Sequence, residues 1–213
     1  MNVKPKDIHD NRERADIFAE KLRHEDYYGF NNKVQFVFNR LRIKHIVNIC
    51  GDLIHSRVLD VGIGDGFLAE WLHTQELWGI DISAKRCRRA RERLPGAHIL
   101  VGDVQELSFS DNAFDVVICA DALEHMDRPE KAISEMMRVV RPGGSVIVSV
   151  PNEAGFIITK VVTLQKQLKN PDHIHNISYR FLTRHFNRKP SQSFNIPNIP
   201  YPLCIWQCYR FIK

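Results

Sequence analysis

Three aspartates recur at nearly equal intervals: Asp60, Asp81 and Asp103. Each closes a short apolar run, and a spacing of about 20–30 residues is that of one strand–helix unit in a doubly wound sheet. All three carboxylates then fall on successive strand tips, at the sheet edge where such folds bind ligands. A carboxylate there can accept hydrogen bonds from ribose hydroxyls, as Asp81 is placed to do. One such tip is explained equally well by a helix N-cap, but three in succession point to a ligand.

Glycines at 62, 64 and 66 follow the first tip in V-L-D-V-G-I-G-D-G. They allow a sharp turn and a ligand approach without interference from Cβ, with a helix over 67–74 expected to present its N-terminus there. The dinucleotide fingerprint G-x-G-x-x-G/A needs a third small residue for close helix–strand packing. That position is Phe67, which argues against a pyrophosphate cofactor. No Gly-Lys-Ser/Thr follows, so the P-loop pattern fails as well.

Past the fourth apolar run, C-A-D-A-L-E-H at 119–125 offers Asp121, Glu124 and His125. His125 is the candidate general base; the two acids are expected to cap the turn and helix start. In D-H-I-H at 172–175, His173 and His175 alternate. They could ligate a metal with Asp172, but a substrate-pocket role is favoured and no metal is expected.

These residues need elements to carry them. Apolar runs at 57–61, 77–80, 98–101, 114–119 and 145–150 read as strands. Helical patterns lie at 83–94, closed by Pro95-Gly96, and at 129–140, closed by Pro142-Gly143-Gly144. This is an α/β, Rossmann-like, doubly wound and mostly parallel seven-stranded sheet, completed from residues 176–213. Upstream, 7–23 is a charged helix. Residues 32–50 form a second, whose stripe of Val34, Val37, Leu41, Ile46, Val47 and Ile49 packs on the domain while Arg40, Arg42 and Lys44 face elsewhere. The division expected is a helical N-terminal lid over 1–50 and a catalytic domain over 51–213, with a cofactor half at 56–152 and an acceptor-side segment at 153–213.

The chain has 213 residues, 44% hydrophobic and 26% charged, with a net charge of +5. That composition excludes a disordered or collagen-like chain. No apolar run approaches the about 20 residues of a membrane span. Five cysteines without a CxxC pair fit a reduced, cytoplasmic chain. From Gly155 onward nine Lys/Arg oppose one acid, Asp172, and this excess points to an anionic partner. The helix at 85–93 holds six bases but no interleaved aromatics, so it reads as a solvated face rather than an RNA platform.

Taken together, V-L-D-V-G-I-G-D-G, G-I-D-I-S at 79–83, V-G-D-V at 101–104, F-D-V-V-I-C-A-D-A-L-E-H at 114–125 and R-V-V-R-P-G-G at 138–144 resemble the class I S-adenosylmethionine-dependent methyltransferases. The likeness covers about 56–152 and looks closest to the small-molecule branch of the ubiquinone/menaquinone methyltransferases. Ile63, where a small residue or cysteine is commoner, and Asp65 depart from the pattern. The resemblance implies S-adenosyl-L-methionine as cofactor and S-adenosyl-L-homocysteine as product. It implies that Asp60 and the backbone of Gly62, Gly64 and Gly66 hold the methionine part. Asp81 would take the ribose hydroxyls, Ile82 would pack on the adenine, and Asp103 with the Val104 amide would meet the ring. The Ala120 carbonyl would face the ammonium. Tyr28, His173, His175, Arg180 and Arg184 are candidate acceptor contacts. The acceptor expected is small and anionic, a lipid-linked one included in the class, with nucleic acid disfavoured. The rival readings are a cofactor-binding sensor or scaffold subunit, a nucleic-acid methyltransferase, and a nicotinamide-dependent oxidoreductase.

Overall fold

The computed structural model describes residues 33–162, 173–198 and 204–213, together with Arg12, Ala15 and Asp16. Its elements in chain order are α1 (Lys33–Cys50), β1 (Arg57–Val61), β2 (Glu76–Asp81), α2 (Ala84–Arg93), β3 (His98–Val101), β4 (Phe114–Ala120), α3 (Pro129–Val139), β5 (Val140–Pro151), α4 (Glu153–Val162), α5 (Tyr179–His185), β6 (Gln192–Ile196) and β7 (Trp206–Ile212). The strands form one seven-stranded sheet in the order β3-β2-β1-β4-β5-β7-β6. β1 to β5 pair in parallel, while β7 runs antiparallel to both β5 and β6. The order reverses between β1 and β4, and that is where an open α/β sheet leaves a crevice beyond its strand tips.

Strand alternation feeds two cores. Val58, Val116, Ile118 and Ile147 pack on one face with Ile43, Ile46 and Ile49 of α1 and Cys87 and Ala90 of α2. Leu59, Val61, Val117, Cys119, Val146 and Val148 pack on the other with Ile133, Met136 and Val139 of α3 and Leu182 of α5. Strands buried on both faces need continuous apolar sequence, which V-V-I-C and V-I-V supply.

Four local expectations change. The helix anticipated at 67–74 is a single 3-10 turn, Ala69–Trp71, entered from Leu68 without a side-chain cap. With Gly66 at φ 83° and Phe67 and Leu68 buried, the chain folds inward instead of winding a helix. Pro142-Gly143-Gly144 does not separate helix from strand, because β5 starts at Val140 and runs through them. The buried face of α1 is rotated from the expected stripe. Asn39, Arg42, Ile43, Ile46, Ile49 and Cys50 are buried, whereas Val37 and Leu41 are exposed at 54% and 36%; an interior anion, described below, draws Arg42 inward. Finally, the arginines of α2 are not simply solvated. Arg91 donates to Ile99 O through Nε and Nη2, at 3.2 and 2.8 Å. Arg93 donates to Asp65 O and Glu70 and lies over the Phe67 ring. They clamp the glycine turn onto the sheet. The charged stretch at 7–23 lies almost entirely outside the described residues.

Candidate active site

The glycine turn is built by φ values that L-residues avoid: 72°, 56° and 83° at Gly62, Gly64 and Gly66. At Gly62 a Cβ would also come within 2.6 Å of the Ala122 Cβ. The turn after β1 and the turn after β4 therefore touch, and glycine is what lets them. Gly62 and Ile63 donate their amides to Ile80 O, at 2.8 and 3.1 Å, fixing the turn to β2.

Asp81, the last residue of β2, is buried. Its two carboxylate oxygens accept from Gly64 N at 3.0 Å and Ser83 N at 2.9 Å. The ligand and capping readings of this residue thus coincide: one carboxylate ties the glycine turn to the start of α2. Burial raises its pKa, opposed by the Arg86 charge and the two amides. Asp60 is buried too. Desolvation, with the Asp81 charge second, pushes its carboxyl up to about 8. A buried carboxyl of this kind calls for a cation.

Asp103 follows Gly102, whose amide donates to Asp81 O at 3.0 Å, so the second and third tips are neighbours. Its carboxylate accepts from Gln105 N and Nε2 at 2.8–3.1 Å. Val104 is buried and Ile82 half-buried. Ala120 ends β4, in register with Ser149. The structure thus brings Asp60, the glycine turn, Asp81, Ile82, Asp103, Val104 and Ala120 to one sheet edge. The donor set suits a ligand bearing an ammonium, a sulfonium, a ribose and an adenine. After the glycines comes only a 3-10 turn, so the glycine turn does not lead into an α-helix N-terminus of its own.

The other half of the crevice differs from expectation. Neither Asp121 nor Glu124 caps the turn Leu123–His125, whose N-cap is Ala122 without a side-chain bond. Asp121 has φ 52°, which turns its carboxylate back under the sheet edge. There it forms a buried ion pair with Arg42 of α1 and accepts from Ser149 Oγ at 3.0 Å. Arg42 also lies over the Trp206 ring. Sequence periodicity assigned Arg42 to solvent, because no local pattern records a partner some 80 residues away.

Glu124 is 1% exposed, and burial raises its pKa to about 8. Its Oε2 has no hydrogen-bond partner among the described residues. Its backbone carbonyl accepts from Ile174 and His175 amides at 2.9 and 3.2 Å, bringing the histidine segment against the end of β4. His125 and His173 meet edge to face, 5.1 Å between ring centroids, and His173 Nδ1 lies 2.5 Å from Glu153 Oε1. His175 turns away to Asp127 O at 3.2 Å. Arg180 and Arg184 of α5 are exposed. Tyr28, together with Lys166 and Lys169 of the basic segment, lies outside the described residues. Three other bases of that segment are consumed as structural ties: Arg210 donates to Ile49 O, Arg188 to Ile212 O, and Lys213 to Asn112, Arg138 O and Val140 O.

Residues 59–148 match a family model described as a methyltransferase domain. The chain is 38% identical over 121 residues to a ubiquinone biosynthesis O-methyltransferase of Alkalilimnicola ehrlichii, covering 54% of this chain and 49% of that protein. It is 37% identical over 100 residues to a phosphatidylethanolamine N-methyltransferase of Cereibacter sphaeroides, covering 44% and 49%. The chain thus spans about half the length of these curated relatives. Among solved structures, it resembles a chain of the complex between the Haloferax volcanii Trm112 methyltransferase activator and a methyltransferase, with TM-score 0.71, 17% identity, and 95% and 97% coverage. N-methyltransferase NodS of Bradyrhizobium japonicum gives 0.63 and 18%, with 83% and 96% coverage. At these identities the structural likeness establishes the fold.

Proposed function

We propose that this chain, whose residues 59–148 match a methyltransferase-domain model, is a class I S-adenosylmethionine-dependent methyltransferase that transfers a methyl group from that cofactor to a small-molecule acceptor by in-line displacement. One observation carries the reading: the buried Asp60 and Asp81 converge with the glycine turn and Ala120 at the sheet's switch point. When bound, S-adenosylmethionine supplies a methyl group already activated on a sulfonium.

The chain's own task is then mainly placement, which intramolecular models value at roughly 7–11 kcal/mol. Asp60, the Gly62, Gly64 and Gly66 backbone and the Ala120 carbonyl hold the zwitterionic end. Asp81 accepts the ribose hydroxyls, Ile82 packs on the adenine, and Asp103 and the Val104 amide take its edge. His125, at the end of the β4 turn, receives a proton from an acceptor that must lose one. His173, held against it, walls the acceptor side. The lid expected over 1–50, Tyr28 included, falls largely outside the described residues, and its described part, α1, packs into the core of the domain proposed to be catalytic.

The relatives' names span O- and N-methylation, so the nucleophile stays open and a small or lipid-linked acceptor is the class proposed. Arg180 and Arg184, exposed on α5, support an anionic group on it. Five free, buried cysteines support a cytoplasmic setting.

Calorimetry with S-adenosylhomocysteine against NAD(H) and NADP(H) tests the class, and transfer of a labelled methyl group to extract metabolites tests the activity. Homocysteine-product binding and a labelled small molecule are expected. Binding of the nicotinamide cofactors alone overturns the reading. Product binding without any labelled acceptor favours a sensor subunit.

A further inference from the structure

Beside the cofactor edge lies a cluster that the cofactor does not account for. Glu124, His125 and His173 each offer one ligand atom, and the three atoms lie within 4.8 Å of one another. Glu124 Oε1 and His125 Nε2 are 4.0 Å apart. Donors bound to zinc at ~2.0–2.1 Å in a tetrahedron sit roughly 3.4 Å apart, so small side-chain rotations close the set. The groups come from separate segments: the turn after β4 and the loop before α5. They are pinned to each other by the Ile174 and His175 amides on Glu124 O.

Two further features point to a cation. Glu124 is 1% exposed, and its Oε2 has no hydrogen-bond partner among the described residues, a costly arrangement unless something occupies the site. The 2.5 Å contact of His173 Nδ1 with Glu153 Oε1 is the carboxylate–histidine pairing that accompanies metal ligation.

We propose that Glu124, His125 and His173 form a three-ligand site for a divalent first-row transition ion, with Glu153 as the positioning residue for His173. Two imidazoles and one carboxylate leave coordination positions open, and an acceptor oxygen would occupy one. Resting on the methyl-transfer reading, this makes the acceptor an O-nucleophile: a hydroxyl acidified by the ion loses its proton to solvent. Its oxygen then forms the C–O bond as the C–S bond breaks and that electron pair returns to sulfur. His125 then serves as a ligand rather than as a free base.

The test uses the chelator-treated chain without cofactor, titrated with cobalt(II) chloride and followed by visible absorption. One equivalent should give the intense bands of a four- or five-coordinate ion and be displaced by zinc chloride. His173→Ala should weaken binding at least 100-fold. Glu153→Gln should weaken it about 10–100-fold, and circular dichroism checks that both stay folded. Absence of a stoichiometric spectrum, a sulfur-to-cobalt charge-transfer band marking a cysteine site, or unchanged affinity in folded His173→Ala each overturns the metal site. S-adenosylhomocysteine binding, measured separately, keeps the two readings apart. Product binding without cobalt binding sinks only the ion, and the converse sinks the methyl-transfer reading.

Discussion

The two halves of the crevice are built on different principles. On the cofactor side Asp81 and Asp103 are satisfied close to home in the sheet: Asp81 by the amides of Gly64 and Ser83, Asp103 by Gln105. On the acceptor side, the partners come from far along the chain. Arg42 reaches Asp121, Glu153 holds His173, and His173 meets His125. The first half is a repeated strand–turn device. The second exists only once α1, β5 and the segment before α5 have docked. Changes on the acceptor side should therefore register as folding defects transmitted from a distance, and changes on the cofactor side as local losses of ligand affinity.

The largest effect is expected at Arg42. Arg42→Ala strands Asp121 as a buried, unpaired charge, for which about 3–5 kcal/mol of destabilisation is typical. Combining it with Asp121→Asn should recover much of that loss in urea melts. If the double variant is no more stable than the single one, the pair is not what couples α1 to the β4 tip.

Gly62→Ala comes next. Its Cβ meets Ala122 at 2.6 Å from a backbone at φ 72°, and left-handed strain alone costs about 1–3 kcal/mol. This should lower the melting temperature and cofactor affinity together. At Gly96, a Cβ meets nothing within 4 Å and φ is not left-handed, so Gly96→Ala is the silent control.

Asp81→Ala should sharpen the contrast from the other side. Losing charge-assisted hydrogen bonds costs about 1.5–3 kcal/mol, or roughly 10–100-fold in S-adenosylhomocysteine affinity, read by calorimetry. An unchanged affinity would remove this strand tip from the site.

A fourth effect is a pH slope at Asp60. Its carboxyl titrates near 3.8 unfolded and about 8 folded. Between those values the unfolded chain binds fewer protons, so the Asp60 contribution to stability is full below pH 3.8 and declines as pH rises toward 8. Asp60→Asn should flatten that part of the stability–pH curve. Below pH 8, binding of S-adenosylhomocysteine, whose ammonium favours the ionised form, should release a proton detectable as a buffer-dependent enthalpy. Asp60→Asn should abolish that release.

The same contrast explains what could be read in advance. V-L-D-V-G-I-G-D-G, G-I-D and V-G-D announce strand tips because a parallel sheet repeats one local device, and apolar runs mark strands buried on both faces. The expected seven-stranded sheet follows, β6 being the strand whose sequence, with four of its five residues exposed or half-buried, gives the weakest signal. The 3-10 turn at Ala69–Trp71 was hidden because helical propensity there yields to inward packing of Phe67 and Leu68. A signal for the acceptor side did exist in the acidic and histidine residues of D-A-L-E-H and D-H-I-H, but their pairing did not.

The sequence by itself determined the strand–turn–helix rhythm, the conformational freedom of the glycine turn and the carboxylates on its tips, all set by interactions within about one strand–helix unit. Only the tertiary structure decided which face of α1 is buried, that Arg42 turns inward to Asp121, and that Glu124, His125, Glu153 and His173 share one place. Those depend on burying charges that must find partners, and the partner is chosen by which elements dock, not by spacing along the chain.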